Sequence, residues 1–478
     1  MRSIVVLFGV AASLIAGSPA SAQESKLAAD FKREAERIAL SCSGFSFKAI
    51  GACGATLVTD HPVHAAFGSI APQNGFGFGA ALVLPQWKPS DNWRINWSAD
   101  GVGAASGAWR AGAYMKLVRT SVPPITVTGP GGGTPSTTST IRPYPVLSLY
   151  GQAISLPTVT YFGLGPSTPR EGKTVFEMRE SIVGSRVVWP LGRQGGMQWL
   201  NLAVVGEVNG RFPDVGGASS DSDPSIETLY SDTTAPGLNT QPGVVQLGEG
   251  LRIDPSLANG HVQLHYLAAI QQFVAPSDSI YSFSRWTLDL RHEFPIYRTV
   301  SPPLARENNG PNECATEASR TAGEYGCLDP MAVSHDRTGS VNVRLLVSRS
   351  GVSGQSVVPF YFQQTLGGSD INGDRRLASY DDYRFRAPHL LALQATLEHS
   401  VWGPIGAWVS GELGRVFLQE DPLSVSDLKH SFGAGLTVRA GGVPMITLSW
   451  AQGGSEGHHI TATMSTTLLG GSARPSLQ

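Results

Sequence analysis

Two glutamates, Glu398 and Glu412, lie on consecutive segments in which apolar and polar side chains alternate, and both fall on the polar side. Paired carboxylates can share acid–base work when both reach one reacting group. A loop just upstream carries Arg375, Arg376, Arg384 and Arg386. An ion pair from one of these arginines to a glutamate is the simpler expectation, and a structural role outweighs catalysis. No catalytic residue is assigned elsewhere. Gly163-Leu164-Gly165 lacks the strand-to-helix setting of a nucleotide site and reads as a turn. His458-His459 reads as a hairpin end, and no nucleophile-elbow pattern occurs. Asp221, Asp223 and Asp232 fit a solvated acidic loop better than a calcium loop. No metal site and no cofactor is implied.

The elements that hold these residues alternate with a period of two. Leu391, Leu393, Ala395 and Leu397 oppose Ala392, Gln394, Thr396 and Glu398; Ile405, Ala407, Val409, Gly411 and Leu413 oppose Trp408, Ser410, Glu412 and Gly414. Successive strand side chains point to opposite faces, so each segment has one apolar and one polar face. Sixteen such candidates begin near residues 75, 93, 107, 145, 174, 198, 244, 260, 280, 341, 357, 389, 404, 428, 442 and 457. In several the polar face carries charge: Arg285, Asp289, Arg291 and Glu293 oppose Trp286, Leu288 and Leu290, and Glu177 and Arg179 oppose Phe176 and Met178. Charge on one face only, strand after strand, suits a wet lumen with lipid outside. The expectation is an all-β fold, a transmembrane antiparallel β-barrel of about 16 strands with a short N-terminal helix. With the first strand running outward, residues 119–144, 295–340 and 367–388 form long outer loops, while the periplasmic turns are short. Arg211 to Gly243 breaks that rule.

Arg2, the apolar run Ile4 to Ala16 and the small residues Ala20-Ser21-Ala22 read as a secretory signal peptide over residues 1–22. A short periplasmic segment, 23–73, comes next, with a helical pattern from Glu24 to Leu40 that suits a lid, a plug or a leader. The barrel is placed at 74–469 and a tail at 470–478. No later apolar run is long enough for a spanning helix, which takes about 18 residues or more. Charged residues make up 15% and the net charge is −2, so no basic patch points to nucleic acid. Four cysteines fall into two close pairs, and in an oxidising compartment Cys42–Cys53 and Cys314–Cys327 bridges are expected.

Short pieces in a consistent order resemble the BamA/TamA-like bacterial surface-antigen family of outer-membrane barrels. They are Tyr161-Phe162-Gly163-Leu164-Gly165-Pro166, Thr234-Ala235-Pro236-Gly237-Leu238, Tyr281-Ser282-Phe283 through Pro295, and Val358-Pro359-Phe360-Tyr361 with Leu366-Gly367-Gly368-Ser369-Asp370. Asp382-Tyr383-Arg384-Phe385-Arg386 and Glu412-Leu413-Gly414-Arg415-Val416 complete the set. The resemblance implies a sixteen-stranded barrel whose sixth outer loop folds back into the lumen. The loop-tip motif of that family, Leu/Val-Arg-Gly-Phe/Tyr, corresponds here to Leu377, Ala378, Ser379 and Tyr380, so its Arg and Gly are replaced. The arginine would normally meet the acidic position that Glu412 supplies, and Arg375 or Arg376 is the candidate substitute. The segment before the barrel leaves no room for a POTRA domain. In function, the resemblance implies a non-enzymatic, monomeric outer-membrane barrel, in contact with outer-membrane lipids and helping to insert or translocate a client polypeptide or a lipid. The alternative is a passive pore or structural barrel without insertase activity.

Overall fold

A computed structural model of the chain describes residues 35–36, 39–40, 42–43, 62–86, 93–119, 145–191, 200–218, 223–300, 334–419, 427–440, 443–454 and 456–464. The chain divides into two units, residues 1–64 and 65–478. In the first, Ala35, Glu36, Ala39 and Leu40 are helical; the rest of the expected helix and the signal peptide lie outside the described residues. Cys42 is described and is not a free thiol, whereas Cys53, Cys314 and Cys327 lie outside the described residues.

The strands run in chain order as β1 (Val63–Ser69), β2 (Phe76–Gln86), β3 (Trp93–Ala104), β4 (Trp109–Arg119), β5 (Val146–Tyr161), β6 (Thr174–Pro190) and β7 (Leu202–Gly217). Then come β8 (Val244–Ile253), the two-residue β9 (Ser256–Leu257), β10 (Val262–Val274), β11 (Phe283–Val300) and β12 (Ser334–Gly351). Two short strands, β13 (Gln364–Leu366) and β14 (Phe385–Ala387), precede β15 (His389–Trp402), β16 (Ile405–Phe417), β17 (Lys429–Ala440), β18 (Val443–Gln452) and β19 (His458–Met464). Setting aside β9, which continues the edge of β8 along β10, and the separate β13–β14 ribbon, the strands form a 16-strand antiparallel barrel that is nearly closed. Each wall strand pairs with the next; β11 and β12 run together from Ser284↔Gly351 to Val300↔Ser334. At the seam the Met464 N–H of β19 donates to Ser69 Oγ of β1 at 3.3 Å.

The barrel is transmembrane because its outer wall is apolar and exposed over strand after strand. Trp286 is 60% exposed, Phe432 62% and Val409 52%, with Leu397, Leu436 and Leu448 beside them. Their inward neighbours are polar and buried, among them Asp289, Glu412 and Ser449. A globular core inverts this pattern; a barrel in lipid requires it. Val409, near the middle of β16, gives a direct check. Val409→Arg is expected to cost about 2–4 kcal/mol, lowering the urea midpoint of the folded, heat-modifiable form in vesicles.

Fifteen of the sixteen expected strands are present near their expected starts, and one exchange hides in the even total. The segment near 357 is no wall strand: Phe360–Phe362 is a buried helical turn. The sixteenth wall strand is β1, ahead of the expected start at 75. This exchange reverses the sidedness of every loop before residue 357 relative to the loop at 367–388. The β12–β15 connection leaves the barrel end shared with the β1–β2, β5–β6 and β7–β8 connections, opposite the end where β4 meets β5 and β11 meets β12 in sequence. The long 218–243 connection therefore shares the end of the β12–β15 loop, whereas the expected outer loops 119–144 and 295–340 join their strands at the opposite end.

One face assignment also changes. Phe176 and Met178 of β6 point inward and are buried, while Glu177 and Arg179 pair with each other outside. This stretch of wall faces a packed loop rather than water, so its inner side is apolar. Glu249 of β8 stands on the outward side, between exposed Leu247 and Leu251, so charge is not wholly excluded from that face.

Candidate functional site

The site is the connection between β12 and β15, which turns back and packs inside the barrel. Its entry limb is aromatic. Phe360 meets Tyr161 of β5 and Phe176 of β6 at ring-centroid separations of 5.2 and 5.1 Å, and Phe362 lies against Phe273 of β10 and Phe283 of β11. The Phe360 N–H donates to the Pro236 carbonyl at 2.8 Å, joining this limb to the β7–β8 connection. Burial of large rings in edge-on contact is a strong local anchor. Beyond it, β13 pairs antiparallel with β14 to make a two-stranded ribbon within the lumen.

Gly367 and Gly368 turn the chain out of β13 with φ of +106° and +57°. The Gly368 N–H donates to the Leu377 carbonyl at 3.1 Å and the Arg376 N–H to the Gly368 carbonyl at 2.9 Å. A Cβ at Gly368 would sit 2.3 Å from Asp382 Oδ1 and 2.6 Å from Asp382 Cα. Gly368→Ala therefore meets both positive φ and backbone collision. The expected result is a loss of at least about 1–3 kcal/mol, read as new protease cleavage between residues 371 and 386 in an otherwise folded barrel.

The tip, Leu377 to Tyr380, is latched to the wall through backbone groups. Leu377 has φ +57°, which aims the next amide outward from the loop. The Ala378 N–H donates to Glu412 Oε2 at 2.6 Å, and the Ser379 N–H donates to Ser431 Oγ of β17 at 2.9 Å. The other oxygen of Glu412 accepts from Gln394 Nε2 at 3.1 Å. Glu412 is only 3% exposed. Gly414, one inward position along β16, leaves room for Leu366: a Cβ there would lie 3.0 Å from Leu366 Cδ1. Thus Glu412, Gly414 and the four tip residues are brought together, with main-chain donors in place of a side-chain guanidinium.

The loop arginines go elsewhere, and none makes a direct ion pair with Glu412 or Glu398. Arg375 donates to Ser449 Oγ at 2.6 Å and to Thr461 Oγ1 at 3.1 Å, with its guanidinium over the Trp408 ring. Arg376 pairs with Asp374 at 3.0 Å and Asp370 at 3.2 Å. Arg384 lies between the Phe162 and Phe385 rings and reaches Glu456 at 2.7 Å and the Thr168 carbonyl at 2.8 Å. Arg386 donates to the Phe360 carbonyl at 2.8 Å. Glu398 pairs instead with Arg439 of β17. Its register partner is Trp408, four residues along the strand from Glu412, so the two glutamates serve separate contacts. The expected arginine–glutamate lock does not form: the turn presents an amide to Glu412, while Arg375 lies over Trp408 of the same strand and Arg376 stays with the loop's own carboxylates.

Sequence reasoning missed a second attachment. Asp289 of β11 accepts from Arg291 and from Arg344 of β12, and Arg344 continues to Asp374 at 2.8 Å. Arg376 and Asp370 close this chain inside the loop. Burial by itself would raise the Asp374 carboxyl, but the guanidiniums of Arg376 and Arg344 hold it well below the ordinary carboxylate range. Alternation places Asp289 on the inward face; its link through Arg344 to Asp374 has no local signature.

Fold and site together define a transmembrane barrel whose lumen is occupied by its own latched loop. No protein-family model matches the chain, and no curated protein matches it. Among solved structures it is similar to CdiB from Escherichia coli, at 12% identity and a TM-score of 0.45, over 84% of this chain and 62% of that one. It is also similar to BamA from Haemophilus ducreyi lacking POTRA domains 1–3, at 9% identity and a TM-score of 0.46, over 84% of this chain and 69% of that one. A bacterial polysaccharide outer membrane secretin matches at 10% identity and a TM-score of 0.33, over 84% of this chain and 93% of that one. The chain thus spans less than two thirds of the CdiB chain it matches.

Proposed function

We propose that this chain is an exported outer-membrane barrel of the BamA/TamA-like type that helps to insert or translocate a polypeptide or lipid. It is read as a non-enzymatic monomer with a cleaved signal peptide and Cys42–Cys53 and Cys314–Cys327 bridges. The observation that carries the reading is the folded-back loop, held in the lumen at the position of the family's loop-tip motif. A loop packed against both halves of the inner wall fits a regulated barrel better than a passive pore. With both termini on the periplasmic side, the loop and the 218–243 connection enter from the outer side. The β1–β19 seam, where Met464 meets Ser69, is the place for lateral opening.

The test is a quantitative outer-membrane proteome, with lipid composition, of cells lacking this gene. Loss of a defined set of barrels or of one lipid class is the expected result and identifies the client. An unchanged membrane, with steady conductance of the wild-type protein in a planar bilayer, would replace this reading with the passive pore.

A further inference from the structure

Behind the Phe360–Phe362 turn lies a cavity of about 120 Å³, between the entry limb of the loop and the wall strands β7, β8, β10 and β11. That is room for several water molecules or one small polyatomic ion. Its polar lining carries four guanidinium groups, from Arg211, Arg285, Arg376 and Arg386, against one carboxylate, Asp370, with neutral amides such as Gln246 and Gln271 between them. Two of these are compensated: Arg211 pairs with Glu180 at 2.7 Å, and Arg376 with Asp370 and Asp374. The other two are not. Arg285 is 8% exposed and donates to Ser350 Oγ and to the Phe362 carbonyl; Arg386 is 4% exposed and donates to the Phe360 carbonyl. Neither meets a carboxylate among the described residues, and the buried Arg386 Nε has no hydrogen-bond acceptor there.

Aromatic faces surround both cations, with Phe273 and Phe283 beside Arg285 and Phe176 and Phe360 beside Arg386. Such contacts offset only about 2 kcal/mol of a buried charge, against a desolvation cost of several kcal/mol per ion. Buried cations and orphaned donors call for a further partner. The guanidinium fork matches the oxygens of a phosphate or carboxylate, and a low-dielectric pocket strengthens that contact.

We propose that this cavity is a binding site for a small oxyanion of the phosphate class, held by Arg285 from the wall and Arg386 from the returning limb of the loop. The ion joins the two, so it fastens the base of the loop as Glu412 fastens its tip. The phosphoryl group comes either from free phosphate or from a lipid headgroup entering the lumen.

The full-length protein, folded in detergent, would be titrated with inorganic phosphate by calorimetry and by phosphorus NMR line broadening. Saturable binding is expected, and it should weaken at least tenfold in Arg285→Gln and in Arg386→Gln. Arg439→Gln, which breaks only the Glu398 pair, should leave the affinity unchanged. Heat-modifiable gel mobility identifies variants that have folded, and the wild-type NMR titration needs no variant. Competition by short-chain phosphatidic acid, with none by the matching phosphatidylcholine, would assign the site to a headgroup phosphomonoester; failure of both to compete would assign it to the free ion. Absence of saturable phosphate binding to the wild type, or wild-type affinity in both arginine variants, overturns the proposal. Neither outcome bears on whether the barrel inserts a client, which the proteome decides separately.

Discussion

Glu412→Ala is expected to release the tip of the lumenal loop while the barrel itself stays folded. The substitution leaves the Ala378 N–H and the Gln394 amide without the acceptor that each now uses. A hydrogen bond to a charged acceptor contributes about 1.5–3 kcal/mol, and part of that is returned because the carboxylate no longer needs to be buried. The net loss in loop attachment is then about 3 kcal/mol. Three readouts should move together: protease cleavage between residues 371 and 386, ion conductance in a planar bilayer, and the exchange rate of the Ala378 and Ser379 amides. Glu412→Gln keeps the shape and one acceptor oxygen, so it should show a smaller loss, about 1–1.5 kcal/mol. If cleavage and conductance of Glu412→Ala match the wild type, the latch is not what holds the loop.

The second large effect is expected at Arg344, which bridges Asp289 on the wall to Asp374 in the loop. Arg344→Met keeps most of the side-chain volume and removes the shared cation. Removing one partner from a buried ion pair typically costs about 3–5 kcal/mol. Here a smaller loss applies, about 1.5–3 kcal/mol, because the Asp374 side chain is 41% exposed, Asp289 retains Arg291 and Asp374 retains Arg376. The pH dependence carries the sign. A carboxyl held below its unfolded pKa, ordinarily about 3.9, contributes stability that is complete above that value and is lost as pH falls through the folded pKa. The Asp374 contribution is therefore full at pH 7. The gap between wild type and Arg344→Met should be widest there and shrink in strong acid, as Asp374 protonates. Urea midpoints at pH 7 and pH 3 measure this; a gap that fails to shrink at pH 3 would mean that the carboxylates of Asp289 and Asp374 are not what Arg344 serves.

Most of the architecture was legible because a barrel wall is a one-dimensional pattern. Alternation at β11, β15 and β16 placed Trp286, Leu397 and Val409 outward and Asp289 and Glu412 inward, as found. It failed at β6, where Phe176 and Met178 face inward, because alternation separates two faces without saying which medium lies on each. It also took the apolar run at Val357 to Phe362 for a strand, since a buried aromatic turn and a buried strand share a composition. One false strand and one missed strand kept the total even while inverting the ends of the barrel.

What the sequence by itself determined is the barrel wall: fifteen of its sixteen strands, the apolar outer face and the charged inner face. Those arise from local period and from the cost of charge in lipid, both written residue by residue. What only the tertiary structure decided is who meets whom inside. Glu412 finds an amide and not an arginine because Leu377 takes a left-handed backbone conformation. Glu398 finds Arg439, and Arg344 finds Asp374 across 30 residues of chain. Each contact depends on the three-dimensional course of a loop, and a loop has no period to read.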